Sequence, residues 1–282
     1  MIEVKDLSFL YKNSNGFSLN KLNFNIAEGE IFGFLGPSGS GKSTTQHILY
    51  KTLLNYSGEV LIDNKNLSSW GKEYYEKIGV GFELPNHYTN LTALENLKLF
   101  SNFYKKSQLM DFNKLFEMVG LENNMNQKIS DFSKGMKMRM NFIRAIMHNP
   151  EILFFDEPTS GLDPVNAFKL KSLIKSLKEQ GKTIFITTHN MATADELCDR
   201  VSFIVDGEIK VTDKPSSLKH QYGKKAVKVV SENGETSEFP LGKIGENNDF
   251  LELIKTQPAK IETLEASLED VFIKITGKGL KK

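Results

Sequence analysis

Apolar residues recur at close to every second position through Ile2, Val4, Leu7 and Phe9, and again through Leu19, Leu22, Phe24 and Ile26. That period belongs to strands with one face in a core, and the polar turns at Asn13–Gly16 and Glu28–Gly29 predict antiparallel strands. Ile31–Leu35 (IFGFL) is apolar throughout, as suits a strand buried on both faces. A glycine-rich loop and a helix from about Ser43 come next. From 84 to 130 the period changes. Leu91, Leu94, Leu97, Leu99 and Phe100, then Leu115, Phe116, Val119 and Leu121, recur at helical spacing and predict a helical subdomain inserted between strands.

Ile152–Phe155 and Thr183–Thr187 predict two more buried strands. Between them a helix over Pro164–Gln180 has proline at its start and Gly181 at its end. Strands alternating with helices predict an α/β fold around a parallel sheet. Beyond about Gly223 the texture shifts. AVKVV, a polar turn at Glu232–Gly234, an amphipathic segment Asp249–Thr256 and a last segment Ser267–Thr276 predict a small α+β appendage. The expected domains are therefore 1–222, with the helical subdomain at about 84–150, and 223–282. No repeat, low-complexity tract or heptad pattern is visible.

Composition narrows the function classes. A chain of 282 residues holds one large α/β domain and an appendage, not two nucleotide domains. The net charge of +1 gives no reason to expect wrapped nucleic acid. With Cys198 the sole cysteine, no disulfide forms within the chain, which fits a reducing cytosol. The N-terminal MIEVKDLSFLYK has no apolar signal core, and no stretch approaches the roughly 18 apolar residues of a membrane span.

Three motifs carry chemistry. GPSGSGKST, comprising Gly36, Pro37, Ser38, Gly39, Ser40, Gly41, Lys42, Ser43 and Thr44, fits the phosphate-loop pattern between an apolar strand and a helix. Its glycines let backbone N–H groups point inward at phosphate oxygens, and the helix start adds its dipole. Lys42 is placed for the β- and γ-phosphates and Ser43 for Mg²⁺. ILFFDEP (152–158) delivers Asp156 and Glu157 at the carboxyl end of a buried strand. Asp156 suits Mg²⁺ directly or through water, and Glu157 suits a general base; an acidic pair there also serves simply as a helix cap. TTHN (187–190) ends the third buried strand, so His189 lies at the same sheet edge, either structural or donating to a γ-phosphate.

In this order, with Tyr11 early, the phosphate loop, IGVGFE, the helical insert, DFSKGM, ILFFDEPTSGLDP and TTH, the chain resembles the ATP-binding cassette (ABC) family over nearly all of residues 1–222. The resemblance implies that Tyr11 stacks on adenine; a surface tyrosine is the alternative. It implies that Ser133 and Gly135 touch the γ-phosphate of ATP held by an opposite subunit, and that Asp163 links the two sites across a dimer. Two positions depart from the family pattern. Phe132, Ser133, Lys134, Gly135 and Met136 stand where leucine, serine, glycine, glycine and glutamine are usual. Glu83 stands where a glutamine near Mg²⁺ is usual, and it is either a further metal oxygen or a solvent-facing variant.

ETLEASLEDVFIKITG (262–277) is similar to the C-terminal end of ATPases serving drug, antibiotic and peptide exporters with a separate permease chain; a stabilising or dimer-contact module is the alternative. The expected protein is an ATP- and Mg²⁺-dependent subunit that dimerises with its own kind or a paralogue. It would drive a permease from the cytoplasmic face of the membrane. Two rivals stand beside it. One is a non-transport ABC ATPase acting on ribosomes or DNA, whose usual second cassette, coiled coil or basic arms are not seen here. The other is a nucleotide-binding module that never turns over, for which Glu157 and His189 would be superfluous.

Overall fold

The computed structural model describes residues 2–12, 16, 18–223 and 225–277. In chain order the elements are β1 (Ile2–Phe9), β2 (Leu19–Ile26), β3 (Ile31–Leu35), α1 (Lys42–Leu49), β4 (Ser57–Ile62), β5 (Lys65–Asn66), α2 (Glu73–Lys77), β6 (Ile78–Gly81), α3 (Ala93–Ser101), α4 (Phe112–Met118), α5 (Lys134–Ile146), β7 (Ile152–Asp156), α6 (Pro164–Glu179), β8 (Thr183–Thr188), α7 (Met191–Leu197), β9 (Arg200–Val205), β10 (Glu208–Asp213), α8 (Pro215–Tyr222), β11 (Ala226–Val230), β12 (Thr236–Pro240), α9 (Asn248–Lys255), β13 (Lys260–Leu264) and α10 (Leu268–Thr276). The fold is α/β with mixed sheets. Asn13 to Asn15, within the expected first turn, lie outside the described residues.

The contacts divide the chain into two compact units, 1–212 and 213–282. The first holds an antiparallel sheet ordered β2-β1-β4-β5 and a six-stranded sheet ordered β10-β9-β3-β8-β7-β6. In the larger sheet β9, β3, β8, β7 and β6 run parallel to one another. The two sheets share a core in which Phe24 of β2 meets Phe32 and Phe34 of β3 and Phe185 of β8, with ring centroids 5.8, 5.4 and 6.3 Å apart. Apolar alternation on one sheet and continuous apolar strands in the other result from this packing: the first turns one face inward, while IFGFL of β3 is buried at all five positions. Three helices, α3, α4 and α5, fall inside the stretch expected to be helical.

Register places the chemistry. Leu35 of β3 is level with Thr188 of β8, and Asp156 of β7 with Thr187, so the carboxyl ends of three central strands share one edge of the sheet. Three elements of this sheet have no counterpart in the sequence reading: β6, β9 and β10. β6 is only four residues long, and two of them are glycines; β9 and β10, six residues each, are at least as long as the buried strands that were read.

The second unit is a three-stranded antiparallel sheet, β12-β11-β13, with α8, α9 and α10. The sequence put the boundary at 222/223, whereas α8 packs with α10: Leu218, Val271 and Phe272 are all fully buried, and Lys274 Nζ donates to the Tyr222 carbonyl at 2.9 Å. The break in texture at Gly223 marks only the end of α8, and α8 itself belongs to the second unit.

Candidate functional site

The loop Gly36–Thr44 turns from β3 into α1. A Cβ on Gly36 would stand 2.1 Å from the Ile204 carbonyl oxygen, and Gly41 begins the helix at φ 109, so only glycine suits either position. Ser38 and Gly39 form the exposed tip and Pro37 is half-buried. The Ser40 hydroxyl is buried with no hydrogen-bond partner among the described residues. Lys42 Nζ donates to the carbonyls of Gly36 and Pro37 at 2.7 and 2.9 Å, bracing the curl from inside. Burial lowers the Lys42 pKa, and the carboxylates of Glu157, Asp156 and Glu83 act against it. Gln46, 1% exposed, ties α1 to the end of β7 by donating to the Phe155 carbonyl at 3.2 Å.

Asp156 ends β7. The Ser43 hydroxyl stands 3.5 Å from Asp156 Oδ2, at the outer limit of a hydrogen bond. The Thr187 hydroxyl donates to Asp156 Oδ1. Burial raises the Asp156 pKa, the Thr187 bond works against that, and Glu157 adds to it. A hydroxyl and a carboxylate facing each other this loosely are hard oxygen donors that suit Mg²⁺. Among the described residues, no three of His, Cys, Asp and Glu group closely enough to cage a metal.

Glu157 comes next in a left-handed conformation, φ 47, and is 7% exposed. Three donors converge on its carboxylate: His189 N at 2.7 Å and His189 Nδ1 at 2.6 Å on Oε1, and the Thr188 hydroxyl at 2.8 Å on Oε2. The His189 side chain is otherwise largely exposed. Glu83 is exposed in the bend after β6, within electrostatic reach of Lys42. Tyr11 stands edge-on against Phe9, and its hydroxyl is 3.3 Å from Thr44 Oγ1, with half the ring in solvent.

The remaining residues gather on a second patch. Ser133 caps α5, its oxygen accepting from Met136 N at 3.2 Å. A Cβ on Gly135 would lie 3.4 Å from Leu162 Cδ2, so the start of α5 packs on the SGLD segment. Asp163 caps α6, accepting from Asn166 N at 3.0 Å. Among the described residues no hydrogen bond joins this patch to the phosphate loop.

The family model described as ABC transporter matches residues 19–160, a span that takes in the phosphate loop, Ser133, Gly135 and both carboxylates. The chain belongs to the ABC transporter family. It is 45% identical to a fluoroquinolones export ATP-binding protein of Mycobacterium tuberculosis (strain CDC 1551 / Oshkosh), the match covering 99% of this chain and 94% of that protein. It is 33% identical to the bacitracin transport ATP-binding protein BcrA of Bacillus licheniformis, over 99% of this chain and 98% of the other. A solved ATP-binding cassette, dimeric in a post-hydrolysis state with ADP and Pi, superimposes with a TM-score of 0.69 at 33% identity, covering 76% of this chain and 98% of its own. The chain is an ABC ATPase, and its first unit carries the nucleotide chemistry.

For this ABC ATPase, sequence reasoning passed over Gln46, Thr187 and Thr188. The signal for the last two was present: adjacent hydroxyls end the strand that leads to His189. A further feature is a groove of about 540 Å³ lined by Tyr50, Phe82, Tyr88, Phe100, Tyr104 and Arg144 among others. Its floor is braced by α5. Asn141 Nδ2 donates to the Phe82 carbonyl at 2.8 Å, Arg144 to the Asn86 carbonyl, and His87 Nε2 contacts the Lys137 carbonyl at 3.1 Å.

Proposed function

We propose that this ABC ATPase powers export through a separate integral membrane permease, working on the cytoplasmic face of the membrane as a dimer with a second copy or a paralogue. The observation that carries the reading is the convergence of the Gly36–Thr44 loop, Asp156 and Glu157 on one sheet edge. Similarity over almost the whole chain to a fluoroquinolones export ATP-binding protein supports the outward direction. Among the described residues no helix is long and apolar enough to cross a membrane, so the reading gives the path across the bilayer to another chain. The nucleotide work belongs to the first unit, and the second, 213–282, forms an accessory domain.

In this reading Tyr11 stacks on adenine, and backbone N–H groups of the loop with Lys42 hold the β- and γ-phosphates. Ser43 and Asp156, with Glu83 beside them, hold Mg²⁺, which when bound neutralises charge on the phosphate oxygens. Glu157 takes a proton from the attacking water, and His189, keeping its Nδ1 on Glu157, faces the γ-phosphate with the rest of its exposed ring. Ser133 and Gly135 of one subunit complete the site of the other, and Asp163 links the two sites. The aromatic groove is the surface for a permease segment. Among the described residues Arg144, buried there, hydrogen-bonds Asn86, Asn141 and His87 and no carboxylate, which suits a segment that brings one.

The test is transport in sealed vesicles holding the permease and this chain. ATP-dependent substrate movement out of the nucleotide-facing compartment is expected, and Glu157→Gln should stop it, with hydrolysis falling about 10²- to 10⁴-fold while ATP binding persists. Hydrolysis by Glu157→Gln at the wild-type rate removes the base assignment, and movement into the nucleotide-facing compartment removes export.

A further inference from the structure

Two side chains outside the set assigned above hold the two carboxylates of the site. Thr187 of β8 is level with Asp156 of β7, and its hydroxyl donates to Asp156 Oδ1. Thr188 comes next, so its side chain leaves the opposite face of the sheet. There the left-handed turn at Glu157 presents Oε2, to which Thr188 Oγ1 donates at 2.8 Å. The same Thr188 oxygen accepts from Asn190 N at 3.0 Å, which leaves the hydroxyl proton directed at the carboxylate. Thr187 and Thr188 are 0% and 1% exposed, so water does not compete for either proton.

We propose that Thr187 and Thr188 are positioning residues, one for each carboxylate, and that Glu157 Oε2 is the oxygen that receives the proton of the attacking water. The proposal rests on the reading of Asp156 and Glu157 as metal ligand and base. A carboxylate oxygen has about two lone-pair sites. His189 fills both on Oε1 through its backbone N–H and Nδ1. Oε2 takes one bond, from Thr188, and keeps the other site for water. Thr188 thereby fixes the plane of the carboxylate around the lone pair that reacts. Thr187 does the same for Asp156 and leaves Oδ2 toward Ser43.

The experiment compares Thr188→Val, Thr188→Ser, Thr187→Val, Thr187→Ser and Glu157→Gln. The readouts are steady-state kinetics, thermal melting, and binding of a fluorescent ATP analogue as Mg²⁺ is titrated. Thr188→Val should lower kcat about 10- to 100-fold, as loss of a hydrogen bond to a charged group implies, without weakening analogue binding. Thr188→Ser, which keeps the hydroxyl, should restore kcat. Thr187→Val should raise the Mg²⁺ concentration at which the analogue binds half-maximally, and Thr187→Ser should restore it. Wild-type turnover by Thr188→Val, or a folded Thr188→Ser as slow as the valine variant, overturns the proposal. If the valine variant fails to fold, Thr188→Ala, which removes the hydroxyl without adding bulk, takes its place in both comparisons. Glu157→Gln tests the underlying reading separately: normal turnover there removes the base assignment whatever the threonines do.

Discussion

Glu83 and His87, four residues apart, are governed by different physics. Glu83 is exposed and adds a carboxylate where the family usually has an amide. Beside Mg²⁺ it strengthens metal binding, since hard oxygens suit that ion, but without the metal it repels the γ-phosphate. Glu83→Gln is therefore expected to make ATP binding less dependent on Mg²⁺ while raising the Mg²⁺ concentration at half-maximal hydrolysis; superimposable Mg²⁺ titrations for the two forms would return Glu83 to a solvent-facing variant. His87 is buried beside Arg144 and Lys137, and burial with the Arg144 charge takes its pKa from 6.5 to about 4, against the bond to the Lys137 carbonyl. The folded pKa is the lower one, so the unfolded chain binds the proton first and stability falls as pH drops from 6.5 toward 4. The loss is at most about 3 kcal/mol at 1.36 kcal/mol per unit. Denaturant melts of His87→Gln should show a shallower fall than wild type across that window; parallel curves would mean that His87 carries none of it.

At the scale of elements, caps and close approaches decide how the helices meet the sheet. In the proposed reading Ser133 has two tasks. Its oxygen accepts from Met136 N to cap α5, which leaves its proton free for an acceptor outside the helix. Replacing a capping serine by alanine costs about 1 kcal/mol. Ser133→Ala should therefore lower the melting temperature and weaken ATP-driven dimerisation together. Ser133→Asp keeps a capping oxygen but brings a negative charge, so it should hold the melting temperature and lose the dimer. A Ser133→Asp form that dimerises like wild type would separate Ser133 from the opposite nucleotide. Pro164 and Gly181 at the ends of α6 were legible because helix-end chemistry is local; the caps at Ser133 and Asp163 were not read from the sequence. Nor were the strands β6, β9 and β10. They are strands because neighbours across the sheet complete their hydrogen bonds.

For the whole molecule, the Ser133–Gly135–Asp163 patch and the phosphate loop make no hydrogen bond with each other in one chain, and that separation is what a shared site between two chains requires. The Glu157→Gln form is expected to be monomeric without nucleotide and dimeric with ATP by light scattering. Lys134 occupies the first turn of α5, where no acidic residue offsets it. Its stem lies over Gly161, Nζ being 3.1 Å from where a Cβ there would stand. A strict monomer with full activity at high concentration would contradict the shared site.

The sequence alone determined the phosphate loop, the buried strands leading to Asp156 and to the TTH segment, the termini of α6 and the character of the appendage. Each depends on residue spacing or on turn and cap chemistry within a few positions, and these act before any long-range contact forms. The tertiary structure decided which strands became neighbours, and with that the partners of the catalytic carboxylates. Thr187 and Thr188 lie 31 residues from Asp156 and Glu157, and only the parallel pairing of β7 with β8 sets them side by side. That pairing depends on how α6 crosses the sheet and on the register of two strands buried on both faces. Such strands are apolar at nearly every position, so their pattern carries no mark of which residue will stand opposite which. The same reason placed α8 in the second unit. Its apolar Leu218 could be read from the sequence, but its packing with α10, some fifty residues later, could not.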